Sequence, residues 1–269
     1  MQKQETLSYA DQYKDAVIPC SPFVFRSTGL VQSLTSLKVE TYNLACVPYQ
    51  FSMSRAALLG AFSKDEVAYF QRFTNALAAL SLTVQGGNDR EPSKIFCRCQ
   101  ISAFGTMKGR DRVGLVLCDF KPIPPSLETI LGEHLMRLDR LRMEWNDLRG
   151  KSVPITPDSA RKMGFNNYAS AASGSEQFKL ALFSLAVDQV DFLMPLRSPD
   201  MRVGTVMVFN LFFQKYRFSV NGTIASTQRL PSGVQKVRAT LEFSPELTDL
   251  LNDYFFQARV LAKRGQESI

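Results

Sequence analysis

The chain has 269 residues, 45% hydrophobic and 21% charged, enough to bury one good core or two smaller ones, which excludes a fully disordered, collagen-like or disulfide-stapled chain. Its 32 Lys and Arg against 25 Asp and Glu give a net charge of +7, scattered along the chain, so the balance favours an anionic partner without naming one. A single histidine, His134, and five cysteines without a C-x-x-C pair leave no ordinary ligand set for zinc, haem or an iron–sulfur centre, and no cofactor is expected.

The first residues, MQKQETLSYADQYKD, are too polar for a signal peptide, and no apolar run approaches the roughly 20 residues of a membrane helix. No membrane insertion is expected, and the odd cysteine count reads as a reducing cytoplasmic compartment. Pro19-Cys20-Ser21-Pro22, then Arg26, Gly29 and Leu30, opens the first half, followed by a strand-like segment from Ser36 to Ser52. Ser63-Lys64-Asp65-Glu66 is a capping box, and Val67, Phe70, Phe73 and Leu77 at helical spacing predict a helix over 64–78. A strand over Ala79 to Gln85 and a turn at Gly86-Gly87-Asn88-Asp89 come next. The segment from Ile95 to Phe120 reads as strand, turn at Lys108-Gly109, strand, with Cys97 and Cys99 as small residues on one strand face.

Leu127, Ile130, Leu131 and Leu135 form the buried stripe of a helix that Ser126 can cap. His134 lies on that stripe, as a packed residue rather than a general base. The pattern continues through Leu138, Leu141, Trp145 and Leu148 with arginines interleaved, and predicts a helix that leaves its own domain and bridges to the next. At 1.5 Å per residue it would reach roughly 30 Å.

The second half repeats the first. Pro154-Ile155-Thr156-Pro157, then Arg161, Gly164 and Phe165, keep every spacing of the first segment at an offset of 135 residues. A one-turn helix explains the pattern: Thr156 caps it, Pro157 starts it and Gly164 ends it in the left-handed conformation. Strand-like segments follow over Phe178 to Met194 and Arg202 to Phe213, then a hairpin turning at Pro231-Ser232-Gly233. Ser244-Pro245-Glu246 opens a helix whose Leu247, Leu250, Leu251 and Phe255 repeat the first stripe. The expected fold is mainly β with peripheral helices: two tandem small antiparallel barrels, each closed by a C-terminal helix. The expected boundaries are 1–125 for the first barrel, 126–149 for the closing and bridging helix, and 150–269 for the second barrel.

Two such barrels, each leaving through a proline into a closing helix, resemble the PilZ family of bacterial cyclic di-GMP receptors. In that family an R-x-x-x-R loop precedes the barrel and a [D/N]-x-S-x-x-G strand motif follows. Guanidinium groups hold phosphates bidentately and stack on guanine, while Ser and Gly let the ligand approach the barrel wall. The resemblance places the first arginine at Arg26 and Arg161, with Leu30 and Phe165 where the second would stand, and Lys162 beside Arg161 as a substitute cation. It places the strand motif on Ser52-x-Ser54-x-x-Ala57 and Leu182-x-Ser184-x-x-Val187. Arg161, Lys162, Ser184, Arg26 and Ser54 are therefore the candidate ligand-binding residues.

The implied function is a non-catalytic receptor for cyclic di-GMP acting on motility, pilus or biofilm functions, with a protein partner in that machinery. The alternative is a nucleotide-independent adaptor, its apolar replacements Leu30, Phe165, Leu182 and Val187 lining a dry, protein-packed surface. Nucleic-acid binding ranks third, because no basic stripe with interleaved aromatics emerges on any predicted strand pair. No triad or paired carboxylates specify catalysis.

Overall fold

Alternation of inward and outward side chains, rather than helical spacing, governs most of the regular secondary structure. The computed structural model describes residues 7–85, 91–110, 112–195, 202–214 and 216–266, with side chains through 260. Two compact units divide it, Met1–Arg137 and Leu138–Ile269.

In the first unit, α1 (Tyr9–Gln12), β1 (Ile18–Pro19) and α2 (Pro22–Thr28) lead into β2 (Thr35–Val39), β3 (Tyr42–Phe51) and β4 (Arg55–Ala61). Next come α3 (Lys64–Phe70), β5 (Leu77–Val84), β6 (Ser93–Thr106), β7 (Val113–Phe120) and α4 (Pro125–Leu148), inside which the unit boundary falls. The second unit continues with β8 (Val153–Pro154), α5 (Pro157–Met163), β9 (Phe165–Ser173), β10 (Glu176–Leu185) and β11 (Gln189–Pro195). It ends with β12 (Val206–Phe213), β13 (Arg217–Arg229), β14 (Val234–Leu241) and α6 (Pro245–Gln266).

Each unit is a closed six-strand antiparallel barrel. The first runs β3-β2-β5-β6-β7-β4 and closes through β3–β4; the second runs β10-β9-β12-β13-β14-β11 and closes through β10–β11. Short β1 and β8 add to β3 and β10 in the same register, Pro19 opposite Gln50 and Pro154 opposite Ser184. The bulges match as well: between Pro48 and Gln50 and between Leu182 and Ser184, and again between Ile101 and Ala103 and between Ile224 and Ser226. Identical strand order and closure with two matching bulges are what a duplicated sequence predicts; the second barrel adds a third bulge between Leu211 and Phe213.

Inward positions fill the barrels. Leu37, Leu58, Leu80, Cys97, Cys99, Ile101 and Cys118 are fully buried in the first, and Phe192, Phe209, Leu211, Val237 and Ala239 in the second. The cysteines thus serve as small core residues. Burying one large apolar side chain contributes about 1.5–3 kcal/mol. The closing helices add Leu127 and Leu131, and Leu247 and Leu251, all fully buried.

Several sequence expectations are corrected. The helix over 64–78 keeps its capping box but stops at Phe70, with a 3-10 turn to Phe73. Asn75 takes a positive φ of 70°, Asn75 and Ala76 bond to the backbone of Ile101, and β5 starts at Leu77, because the ladder to β6 outcompetes another helical turn. The segment Ser36 to Ser52 is two strands around a turn at Glu40, whose φ is 49°. Phe178 to Met194 likewise divides into β10 and β11, and β12 starts only at Val206. Strands β4 and β9, RAALLGA and FNNYASAAS, escape sequence reading because Ala, Gly and Asn are weak strand formers. Ser126 lies inside α4, not at its cap. The turn at 86–89 lies outside the described residues.

Candidate functional site

Helices α2 and α5 are fastened alike at both ends. Ser21 Oγ accepts from Val24 N at 3.3 Å and Thr156 Oγ1 accepts from Ser159 N at 3.2 Å; Pro22 and Pro157 occupy the first turns. Gly29 and Gly164 close them at φ of 71° and 69°, where a side chain would be strained. The carbonyls of those glycines then accept Gln85 N at 2.8 Å and Gln214 N at 2.7 Å, tying each helix to β5 or β12. Arg26 and Arg161, in the last turns, are exposed.

The residue after each glycine goes inward. Leu30 bridges to Val84, Phe165 pairs with Phe213, and both are buried, 5% and 8% exposed. An arginine here would put an unpaired guanidinium in a barrel core, at a cost of several kcal/mol. Val187 is also core, and Leu182 packs against the same cluster. These replacements therefore seal the barrels; they do not line a partner surface.

Arg161 and Lys162 line a cleft of about 180 Å³ between α5, the end of β12 and α6, where Tyr216, Tyr254, Asp249 and Asp253 also stand. Lys162 Nζ lies 2.7 Å from Asp158 Oδ2, and that pairing raises its pKa. With Asp158, the two carboxylates from α6 outnumber the two cations, so a ligand must engage Arg161 by geometry rather than by net field. Arg26 lies in a shallow depression with Phe25, Gln32 and Gln85.

Ser184 is elsewhere. It stands in an outward row, Pro154–Ser184–Asp191–Arg238–Ser226, that crosses β8, β10, β11, β14 and β13. Asp191 is 3% exposed; Arg238 Nε and Nη2 reach its oxygens at 2.8 and 3.0 Å, and Lys236 Nζ approaches to 3.5 Å. The Arg238 hydrogen bonds hold the Asp191 carboxyl below its ordinary range against the opposing effect of burial, and Ser184 adds a hydrogen bond. Ser184 is thus committed to a carboxylate, not to the Arg161 cleft. Sequence spacing gives Asp191 no partner, because Arg238 is 47 residues away and only strand pairing joins them.

Ser54 is not the counterpart of Ser184. It lies in the turn before β4, its amide donating to Ser52 Oγ at 3.3 Å, while the matching rung holds Gln50, Ala57, Leu117 and Ala103. Both halves carry the same bulge, so strand register makes Gln50 the counterpart of Ser184 and leaves Ser54 four residues further along the chain, which spacing from the arginine alone could not reveal.

His134 is 2% exposed, with Nδ1 2.6 Å from Ser27 Oγ. Burial pushes its pKa down to about 4. Among the described residues no three His, Cys, Asp or Glu are grouped to hold a metal ion, and no helix is long and apolar enough to cross a membrane.

Two closed six-strand barrels, each entered through a capped, arginine-bearing helix and left through a closing helix, define tandem PilZ-type architecture. The PilZN3 domain model matches residues 4–136, nearly the whole of the first unit, so that unit is a PilZN3 domain. No curated protein matches the chain. Similar solved structures include the Borreliella burgdorferi PlzA protein in complex with c-di-GMP, 17% identical, covering 92% of this chain and 96% of that one at a TM-score of 0.46. YcgR from Escherichia coli in complex with c-di-GMP is 9% identical, covering 95% and 97% at a TM-score of 0.33. The Bacillus subtilis inhibitor of motility MotI/DgrA is 10% identical, covering 86% and 97% at 0.32.

Proposed function

We propose that this chain is a non-catalytic signalling protein that receives cyclic di-GMP on its second barrel and conveys the bound state to a protein of the motility, pilus or attachment machinery. The observation that carries this reading is the Arg161–Lys162 pair, held at the mouth of a cleft by a helix capped at both ends. The cleft is smaller than the ~300–1,000 Å³ of a typical small-molecule pocket. A dinucleotide would lie partly outside it, one phosphate on Arg161 and a base against Tyr216 or Tyr254. Five unpaired thiols are in keeping with a reducing cytoplasm. The adaptor reading loses its motivation, since its apolar replacements are core residues.

Isothermal titration of the full chain with cyclic di-GMP tests the proposal. Binding at micromolar protein is expected, with Arg161→Ala weakening it roughly ten- to a hundredfold through one lost charge-assisted contact and Arg26→Ala leaving it nearly unchanged. No heat, or an Arg161→Ala titration identical to the parent's, would overturn it.

A further inference from the structure

The outer wall of the second barrel carries a feature independent of the Arg161 cleft. Arg217 on β13 places its guanidinium carbon 4.9 Å from the centre of the Phe212 ring on β12. Phe212 in turn lies 5.0 Å from Tyr168 on β9, and Lys179 on β10 holds its ammonium 5.6 Å from the Tyr168 ring. The order across four adjacent strands is cation, aromatic, aromatic, cation. Three strand spacings make the row about 14 Å long. Around the same wall Lys236 sits 4.4 Å from the ring of Phe183, which is 49% exposed.

The charges on this wall are one-sided. The six strands of the barrel carry five cations, Lys179, Arg217, Arg229, Lys236 and Arg238, against two carboxylates. One of these, Asp191, is buried and already gripped by Arg238; the other, Glu176, is the first residue of β10. Tyr168 is 38% exposed, so an aromatic face or edge remains open between the cations.

We infer that this wall binds single-stranded nucleic acid: a base stacks on the Tyr168–Phe212 pair while neighbouring phosphates engage Lys179 and Arg217. Stacking platforms flanked by cations grip single strands without reading sequence, because every base has a π-face and every nucleotide a phosphate. A duplex hides its bases and a lipid surface has no flat ring to stack, whereas every nucleotide of a single strand joins an open ring to a phosphate at the spacing of this row. The aromatic pair is what favours the single strand. The row requires β9, a strand that sequence reading did not find, which is why no stripe was visible there.

The test is fluorescence anisotropy of the full chain with a labelled polythymidylate of about 15 nucleotides, within the ~4–16 that one small barrel covers. Saturable binding is expected, weakening as salt rises. Lys179→Gln and Arg217→Gln should each flatten the log–log salt slope by about 0.7. Tyr168→Ala should weaken binding roughly tenfold or more, with Tyr168→Phe close to the parent. The inference is overturned by no binding at low salt, by equal or tighter binding of a duplex of the same length, by association with anionic lipid vesicles but not with the strand, or by Tyr168→Ala matching the parent. Circular dichroism checks each variant; should Tyr168→Ala not fold, the two exposed glutamine variants decide through the slope.

Discussion

Asp191 and Arg238 face each other across β11 and β14, and the guanidinium grips the carboxylate through two nitrogens at 2.8 and 3.0 Å. Arg238 is itself half exposed, but removing it leaves the buried Asp191 carboxylate without its main partner. Arg238→Ala should destabilise the second unit by about 2 kcal/mol, moderated by Lys236 and Ser184, and Asp191→Asn in the same background should recover part of the loss. Urea unfolding followed by the fluorescence of Trp145, whose indole donates to Val187 O at 3.1 Å in this unit, is the measurement. Because the folded carboxyl titrates below its ordinary value, this stabilisation is complete above about pH 4 and fades as pH falls through the folded pKa.

His134 gives the first unit the same direction of pH dependence for the opposite reason. Its folded pKa is about 4 against an ordinary 6.5, so the unfolded chain takes up a proton that the folded one refuses. Stability should be unaffected above pH 6.5, then fall by up to about 3 kcal/mol as pH drops toward 4. Denaturation midpoints across that window should show the slope in the parent, and His134→Gln should flatten it.

The missing arginines cannot be restored singly. Leu30→Arg and Phe165→Arg each drive a guanidinium into a barrel core, and each should lower stability by several kcal/mol without tightening cyclic di-GMP binding. Thermal melting paired with titration distinguishes this from a repaired clamp, which would bind more tightly and melt normally.

Phe62 lies across two glycines paired directly on neighbouring strands, Gly60 of β4 and Gly114 of β7, and a Cβ on either would collide with its ring. The ring cannot move aside freely, since Phe70 and Phe104 pack on it at 5.8 and 5.2 Å. Gly60→Ala and Gly114→Ala should each cost about 1–3 kcal/mol, and adding Phe62→Leu should relieve part of that strain, as read from urea midpoints.

The duplication, the capped helices α2 and α5 and the closing helices were legible in the sequence, because proline, glycine and cap residues act within a few positions of one another. The residues with consequences across strands were not. Asp191 and Arg238 meet only through β11–β14 pairing, strand register makes Gln50 rather than Ser54 the counterpart of Ser184 in the repeat, and Phe212 meets Tyr168 only once β9 exists. Leu30 and Phe165 looked like decayed binding residues and are core residues, a distinction that needs the inward direction of the strand.

The bulges on β3 and β10 each leave one residue without a rung, Tyr49 and Phe183, both half exposed, whose carbonyls accept Cys20 N and Ile155 N at 2.9 Å. Since that contact uses backbone alone, either side chain can be exchanged for a fluorescent or spin-labelled reporter while the barrel keeps its pairing. The two halves, so alike in plan, could then be observed one at a time, and a ligand's choice between them read directly from which signal responds.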